Sequence, residues 1–232
     1  MPACFNVVNC RKKFGQFPDV FYIGLGKTGS SSISYGFPNH IVAHWHNDKY
    51  FRKLNGIDSL KGYKSLYDYI FTNCIRHNIR PLIIESFRDI VSMNISTYFQ
   101  HNSKRFIDTM DYKEYYTIMS DLDQWHYSFR PHSELLLKEG YVKTLETYQE
   151  NDYGKFAILK FEEINKWQPF FESIGYKYID NHENHRENKI YDKVLKDFKI
   201  EKNRLLKIYD NEIFTKFYSD LEIDIFVNRW KK

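Results

Sequence analysis

The chain has 232 residues, 28% of them charged, and a formal net charge of +4, which fits one folded domain and excludes the low-hydrophobicity, high-charge signature of disorder. No apolar run approaches the roughly 18 residues of a membrane-spanning helix, and Arg11, Lys12 and Lys13 interrupt the N-terminal stretch that would have to be a secretory leader. Cys4, Cys10 and Cys74 have the spacing of neither a disulfide framework nor a zinc site, so a reducing, cytoplasmic setting is expected. The mild positive charge permits anionic ligands without the footprint of a dedicated nucleic-acid binder. With 19 Tyr, 19 Phe and 4 Trp but alanine only at Ala3, Ala43 and Ala157, aromatic rings are expected to fill most of the core.

Residues 1–17 read as an irregular lead-in, followed by a short buried strand at Asp19–Ile23 that Gly24 ends. After the segment GLGKTGSSS, a helix starts near Ile33, and His40–His44 is a second strand. Lys61–Asn78 has apolar residues at helical spacing: Leu66, Tyr69, Ile70 and Cys74. Pro81–Glu85 is a third strand, Arg88–Gln100 a loop running into a helix, and residues 111–128 a further helix. Lys155–Phe161 is a fourth strand, Glu163–Ser173 a helix, and the chain from Lys189 onward a series of short helices. Strands alternating with helices predict an α/β fold with a mainly parallel sheet. No linker or repeat divides the chain, so 1–232 reads as one domain with a helical part at 189–232.

Two segments carry chemistry. In the first, the glycines of GLGKTGSSS allow a tight turn and a close backbone approach. The helix N-terminus and Lys27 add positive charge, and Thr28, Ser30, Ser31 and Ser32 add hydroxyls. This is either a nest for a phosphate or sulfate or a glycine-rich turn with a solvated lysine. It is not a Walker A loop, which would require glycine where Phe21 stands. In the second segment, Arg88 follows the third strand and Ser96 lies eight residues later. Either the guanidinium and hydroxyl grip a terminal phosphate, or Arg88 and Asp89 cap the helix and pair with neighbours.

Together the two segments resemble a sulfotransferase. KTGSSS after the first strand resembles the loop that holds the 5′-phosphosulfate of PAPS, and Lys27-Thr28-Gly29-Ser30 is similar to the loop of uronyl 2-O-sulfotransferases. Arg88 and Ser96 resemble the 3′-phosphate site of the same enzymes. From about residue 20 to 230 the chain resembles the sulfotransferase-like capsular polysaccharide synthesis family of bacteria and viruses. The likeness takes in GKTGSSSI, His44-Trp45-His46, RDIVSMNISTYFQ, and Asn188–Tyr191, Lys207–Asp210 and Lys216–Ser219 before Trp230. Ser32 stands where cytosolic small-molecule sulfotransferases have an adenine-stacking tryptophan. Their late Arg-Lys-Gly segment is absent, with Arg186 as the substitute.

The resemblance implies a three-layer P-loop sulfotransferase-like fold and a PAPS-dependent transfer of a sulfuryl group to a carbohydrate hydroxyl, with PAP as product. It implies Lys27 at the bridging oxygen of the leaving group and Gly26, Thr28, Gly29, Ser30, Ser31 and Ser32 around the 5′ end, with no metal. His44 and His46, two apart just after the second strand, are the general-base candidates, His46 favoured; a zinc pair lacking its other ligands or two surface histidines are the alternatives, and Glu85 and Asp89 are weaker bases. The other functions to weigh are a P-loop kinase or hydrolase, with Glu85 as the nearest Walker B substitute, and a non-catalytic glycan-binding protein. Tyr98, Phe99, Trp125, Tyr127 and Phe129 are either a sugar-stacking wall or core, and Trp230 reads as a docked helix end.

Overall fold

The computed structural model describes residues 18–25, 27–37, 40–43, 63–102, 112–127, 129, 131–179 and 189–232. In chain order the elements are β1 (Val20–Ile23), α1 (Ser30–Gly36), β2 (His40–Ala43), α2 (Leu66–Arg76), β3 (Leu82–Phe87), α3 (Ile90–His101), α4 (Tyr112–Asp123) and α5 (Ser133–Lys138). They continue with β4 (Tyr148–Asn151), β5 (Gly154–Lys160), a 3-10 segment (Phe161–Lys166), α6 (Trp167–Ser173), α7 (Lys189–Asp197), α8 (Lys202–Tyr209), α9 (Glu212–Phe217) and α10 (Asp220–Trp230). The chain divides into two compact units: Met1–Phe87 with Pro131–Glu183, and Arg88–Arg130 with Asn184–Lys232.

The first unit is α/β. Its sheet runs β2-β1-β3-β5-β4, with the first four strands parallel and β4 antiparallel at the edge. Parallel strands are covered on both faces and so read as continuous apolar runs, as in the fully buried Val20–Ile23 and Leu82–Phe87. Successive side chains alternate between faces. Phe21, Ile23, Ile83 and Phe156 meet α2 residues Leu66, Ile70 and Cys74 together with Leu136 of α5. On the opposite face Val20, Tyr22, Leu82, Ile84 and Leu159 meet Ile33 of α1 and Trp167 and Phe171 of α6. The result is three layers, helix–sheet–helix.

Two elements of this unit are absent from the sequence reading. Strand β4, Tyr-Gln-Glu-Asn, is polar because it is a partly exposed edge strand paired only with β5. Helix α5 spans only six residues, and its start is fixed from outside the segment. The expected helix at 163–173 is divided, because Glu163 leaves helical geometry and a 3-10 segment precedes α6.

The second unit is helical among the described residues. Asp89 caps α3 by accepting from the Val91 N–H, and Asn211 caps α9 through Ile213 and Phe214. Ser219 and Glu222 form a capping box on α10. Tyr98 of α3 donates to Asp121 of α4 at 2.6 Å, and Tyr115 of α4 donates to Asp197 of α7 at 2.8 Å. Phe214 stacks on Tyr218 at 4.4 Å between ring centroids, and Trp230 is fully buried. The expected helix over 111–128 ends at Asp123, and Gln124–Tyr127 continues as a turn and loop. Aromatic residues supply all the largest fully buried side chains of the described residues, among them Trp167, Tyr22, Phe21 and Phe198. No helix of the described residues is long and apolar enough to cross a membrane.

Candidate functional site

Strand order places a topological switch beside β1. The chain leaves β1 for β2 on one side and returns to β3 on the other. In open α/β sheets the carboxyl ends of the strands at such a point form the ligand crevice. The β1–α1 segment carrying Lys27 begins there, and Ser86 lies near the carboxyl end of β3.

A hydroxyl network pins the segment to both strands. The Thr28 hydroxyl donates to the Leu25 carbonyl at 2.7 Å, and the Ser86 hydroxyl donates to the Thr28 carbonyl. The Tyr22 hydroxyl lies 2.7 Å from Thr28 Oγ1 and 2.8 Å from Ser86 Oγ. Each hydroxyl has one proton. With the Thr28 and Ser86 protons committed to carbonyls, the single Tyr22 proton is shared between their oxygens, with the Leu25 carbonyl a more distant acceptor at 3.5 Å. Burial raises the Tyr22 phenol's pKa, so that proton stays on. Tyr22 and Ser86 share a face because Tyr22 pairs with Ile84 and Ser86 is two residues further along β3.

The backbone between the network and α1 is bent into rare conformations. Lys27 has φ 68° and Gly29 φ 100°. A left-handed lysine costs about 1–2 kcal/mol and persists only where its surroundings over-determine it; here the Thr28 anchors supply that constraint. A Cβ at Gly29 would lie 2.5 Å from Trp167 Cη2, so glycine is required for space as well as conformation. No side chain caps α1, and its first turn has no acidic residue. Thr28, Ser30 and Ser32 are buried, Lys27 and Gly29 half-buried, and Ser31 exposed. At the far end of α1, His40 Nδ1 donates to the Phe37 carbonyl at 2.5 Å, so Nε2 accepts from Ser34 at 3.0 Å. Burial lowers the His40 pKa and keeps the ring neutral.

Both carboxylates weighed as bases make extensive structural bonds. Glu85 lies on the opposite face of β3 from Ser86, 1% exposed, and accepts the backbone N–H groups of His132 and Ser133 at 2.6 and 2.7 Å. Burial pushes its carboxyl up to about 7 against the pull of those two bonds. Asp89, also 1% exposed, accepts from Val91 N–H, Ser92 Oγ, Tyr209 Oη and Trp230 Nε1.

Arg88 and Ser96 belong to the helical unit. Arg88 is half-buried at the lead-in to α3. Ser96 is buried one turn beyond Ser92, on the face that carries Asp89. Gly26, His44, His46, Arg186 and the lead-in 1–17 lie outside the described residues. Sequence reasoning missed Tyr22, Ser86 and Trp167, which hold the segment; a hydroxyl residue closing an otherwise apolar strand was the available signal. No group of three or more His, Cys, Asp or Glu among the described residues could hold a metal ion. No family model matches the chain, and neither the search of curated proteins nor that of solved structures returns a match.

Proposed function

We propose that the chain is a P-loop sulfotransferase-like enzyme that uses PAPS to sulfate a hydroxyl of a carbohydrate acceptor. The observation that supports this most is the pinned turn with left-handed Lys27 and Gly29 at the carboxyl end of β1, beside the strand-order switch. A rigid turn with three small buried hydroxyl residues, a lysine and a short uncapped helix suits a tetrahedral dianion approached by backbone. The segment lacks the first Walker glycine, and Glu85, the nearest Walker B substitute, lies on the other face of β3 with both oxygens bonded to backbone. Both points favour a phosphosulfate over a magnesium nucleotide.

In this reading the acceptor oxygen forms the new S–O bond as the bond from sulfur to the bridging oxygen of the donor breaks. Lys27 stabilises charge on that bridging oxygen, and Gly26 with the amides and hydroxyls of Thr28–Ser32 holds the 5′ end. His46, or His44 in its place, takes the acceptor proton. Arg88 and Ser96 keep the 3′-phosphate role that the resemblance implies, and PAP leaves as product.

Calorimetric titration of PAP into the purified chain tests the reading. Saturable binding is expected, weakened about tenfold or more by Lys27→Ala and by Arg88→Ala. Transfer from PAPS to a uronate polysaccharide should fall about 10²–10³-fold in Lys27→Ala. Absence of PAP binding by the folded wild-type chain overturns the proposal. Magnesium-dependent ATP binding in its place would identify a kinase or hydrolase, and glycan binding alone a non-catalytic protein.

A further inference from the structure

The helical unit contains a cleft of about 540 Å³, within the roughly 300–1,000 Å³ common for small-molecule sites. It lies between the loop after α4 and the turn joining α8 to α9, with Trp125, Tyr127, Arg204, Lys207, Asp210 and Asn211 among its lining residues. Of the five aromatics weighed as a sugar wall, Tyr98, Phe99 and Phe129 are buried. Trp125 and Tyr127 are half-buried and line the cleft. A half-buried ring at a polar surface is suited to pack against the C–H face of a pyranose.

The walls are braced. Arg204 donates through Nη1 to the Asp123 carbonyl and through Nη2 to the Trp125 carbonyl at 2.9 Å, and its guanidinium lies 5.5 Å from the Tyr127 ring centroid. Nη1 also lies 3.6 Å from the Asp123 carboxylate, an ion pair that helps to hold the guanidinium. Tyr127 donates to the Leu122 carbonyl at 3.0 Å. Asn211 donates to the Phe129 carbonyl at 3.3 Å while its side-chain oxygen caps α9. These bonds join the loop to α8 and α9, so the aromatic faces and the guanidinium are held before a ligand arrives. Lys207 and Asp210 are exposed on the rim.

We infer that this cleft binds a saccharide carrying a carboxylate or sulfate group. Trp125 and Tyr127 pack against the sugar rings, Arg204 and Lys207 face the acidic group, and Asp210 accepts from sugar hydroxyls. Asp123 offsets part of the Arg204 charge at 3.6 Å, so the exposed Lys207 on the rim sets the preference for an acidic over a neutral sugar. The inference adds a ligand site to the function proposed above and does not rest on it, because binding requires neither donor nor transfer.

The experiment titrates the full chain, without PAPS or PAP, with unsulfated chondroitin tetrasaccharide, and follows intrinsic tryptophan fluorescence and heat. Saturable binding is expected, weakened about tenfold by Trp125→Ala and by Lys207→Glu and reduced by added salt. Lys207 is exposed, so its substitution preserves the fold and keeps the test valid if Trp125→Ala does not fold. Lys27→Ala should leave this binding unchanged, which separates its failure from failure of the donor site. The inference is overturned by absence of binding, by binding that ignores both cleft substitutions, by equal affinity for maltotetraose, or by inorganic sulfate binding as tightly as the tetrasaccharide.

Discussion

The carboxylate of Glu85 in β3 accepts the backbone N–H groups of His132 and Ser133 at 2.6 and 2.7 Å, tying the middle of the sheet to the first residues of α5. That long-range pair explains why a six-residue helix starts at Ser133 with no capping side chain of its own. It also gives the first unit a pH-dependent element, because burial lifts the Glu85 carboxyl from 4.5 to about 7. Between those values the unfolded chain has released the proton and the folded chain retains it. The group's stability contribution is therefore full below about pH 4.5, falls as pH rises toward about 7, and is level above. Urea denaturation of wild type and Glu85→Gln at pH 5 and pH 7.5 measures this. The wild-type advantage should be larger at pH 5, by an amount on the order of 2 kcal/mol. Equal differences at the two pH values would refute the assignment.

Asp89 is the corresponding hub of the helical unit. It accepts from Trp230 Nε1 at 2.7 Å and Ser92 Oγ at 2.6 Å, and also from Tyr209 and the Val91 amide. Asp89→Ala strands two buried donors from α8 and α10 and removes the α3 cap. A loss of about 3 kcal/mol or more is expected. Trp230→Phe removes one charge-assisted bond and should cost about 2 kcal/mol. The double variant should lose less than the sum, because both changes break the same bond. Strict additivity in a double-mutant cycle would show that the two residues do not interact.

Much of this architecture is legible in the sequence for a definite reason. Strands β1, β3 and β5 are buried on both faces, so their apolar runs stand out, and the Lys27–Ser32 segment announces a tight turn by its glycines. What is not legible depends on partners distant in sequence. Nothing local to Tyr-Gln-Glu-Asn shows that β5 will pair with it, and nothing local to Ser133 shows that Glu85 will hold it. Glu85 and Asp89 read as acids able to do chemistry because a carboxylate's donors cannot be counted until Ser133, Tyr209 and Trp230 are brought to it. The division into two units is equally silent, since each is assembled from two separated stretches with no linker between them.

Tyr22→Phe tests the hydroxyl network under the Lys27 segment. The substitution keeps the ring in its buried position and deletes the proton shared between Thr28 Oγ1 and Ser86 Oγ. The donations from Thr28 to Leu25 and from Ser86 to Thr28 survive, so the cost should be only about 1 kcal/mol. Ser86→Ala removes the donor to the Thr28 carbonyl itself and should cost more, about 1–3 kcal/mol, because a buried acceptor loses a partner. Thermal unfolding of the two variants gives the ranking. A Tyr22→Phe variant less stable than Ser86→Ala would place the anchor on the ring hydroxyl.

Gly29 combines two demands that a single comparison separates. Its φ of 100° disfavours any side chain, and an added Cβ would meet Trp167 Cη2 at 2.5 Å and Cζ3 at 2.9 Å. Gly140 has a similar φ of 76° but open space around an added Cβ. Gly140→Ala therefore incurs the conformational cost alone, about 1–2 kcal/mol. Gly29→Ala incurs that cost plus displacement of a buried indole, so its urea midpoint should fall further, by about 1–3 kcal/mol in stability. Because Trp167 packs beneath the turn that presents Lys27 and Thr28, the same substitution should weaken PAP binding, while Gly140→Ala leaves it intact. Equal midpoints for the two variants would mean that Trp167 yields freely and the turn is not held by packing. Equal midpoints with PAP binding lost only in Gly29→Ala would locate the requirement in backbone conformation alone.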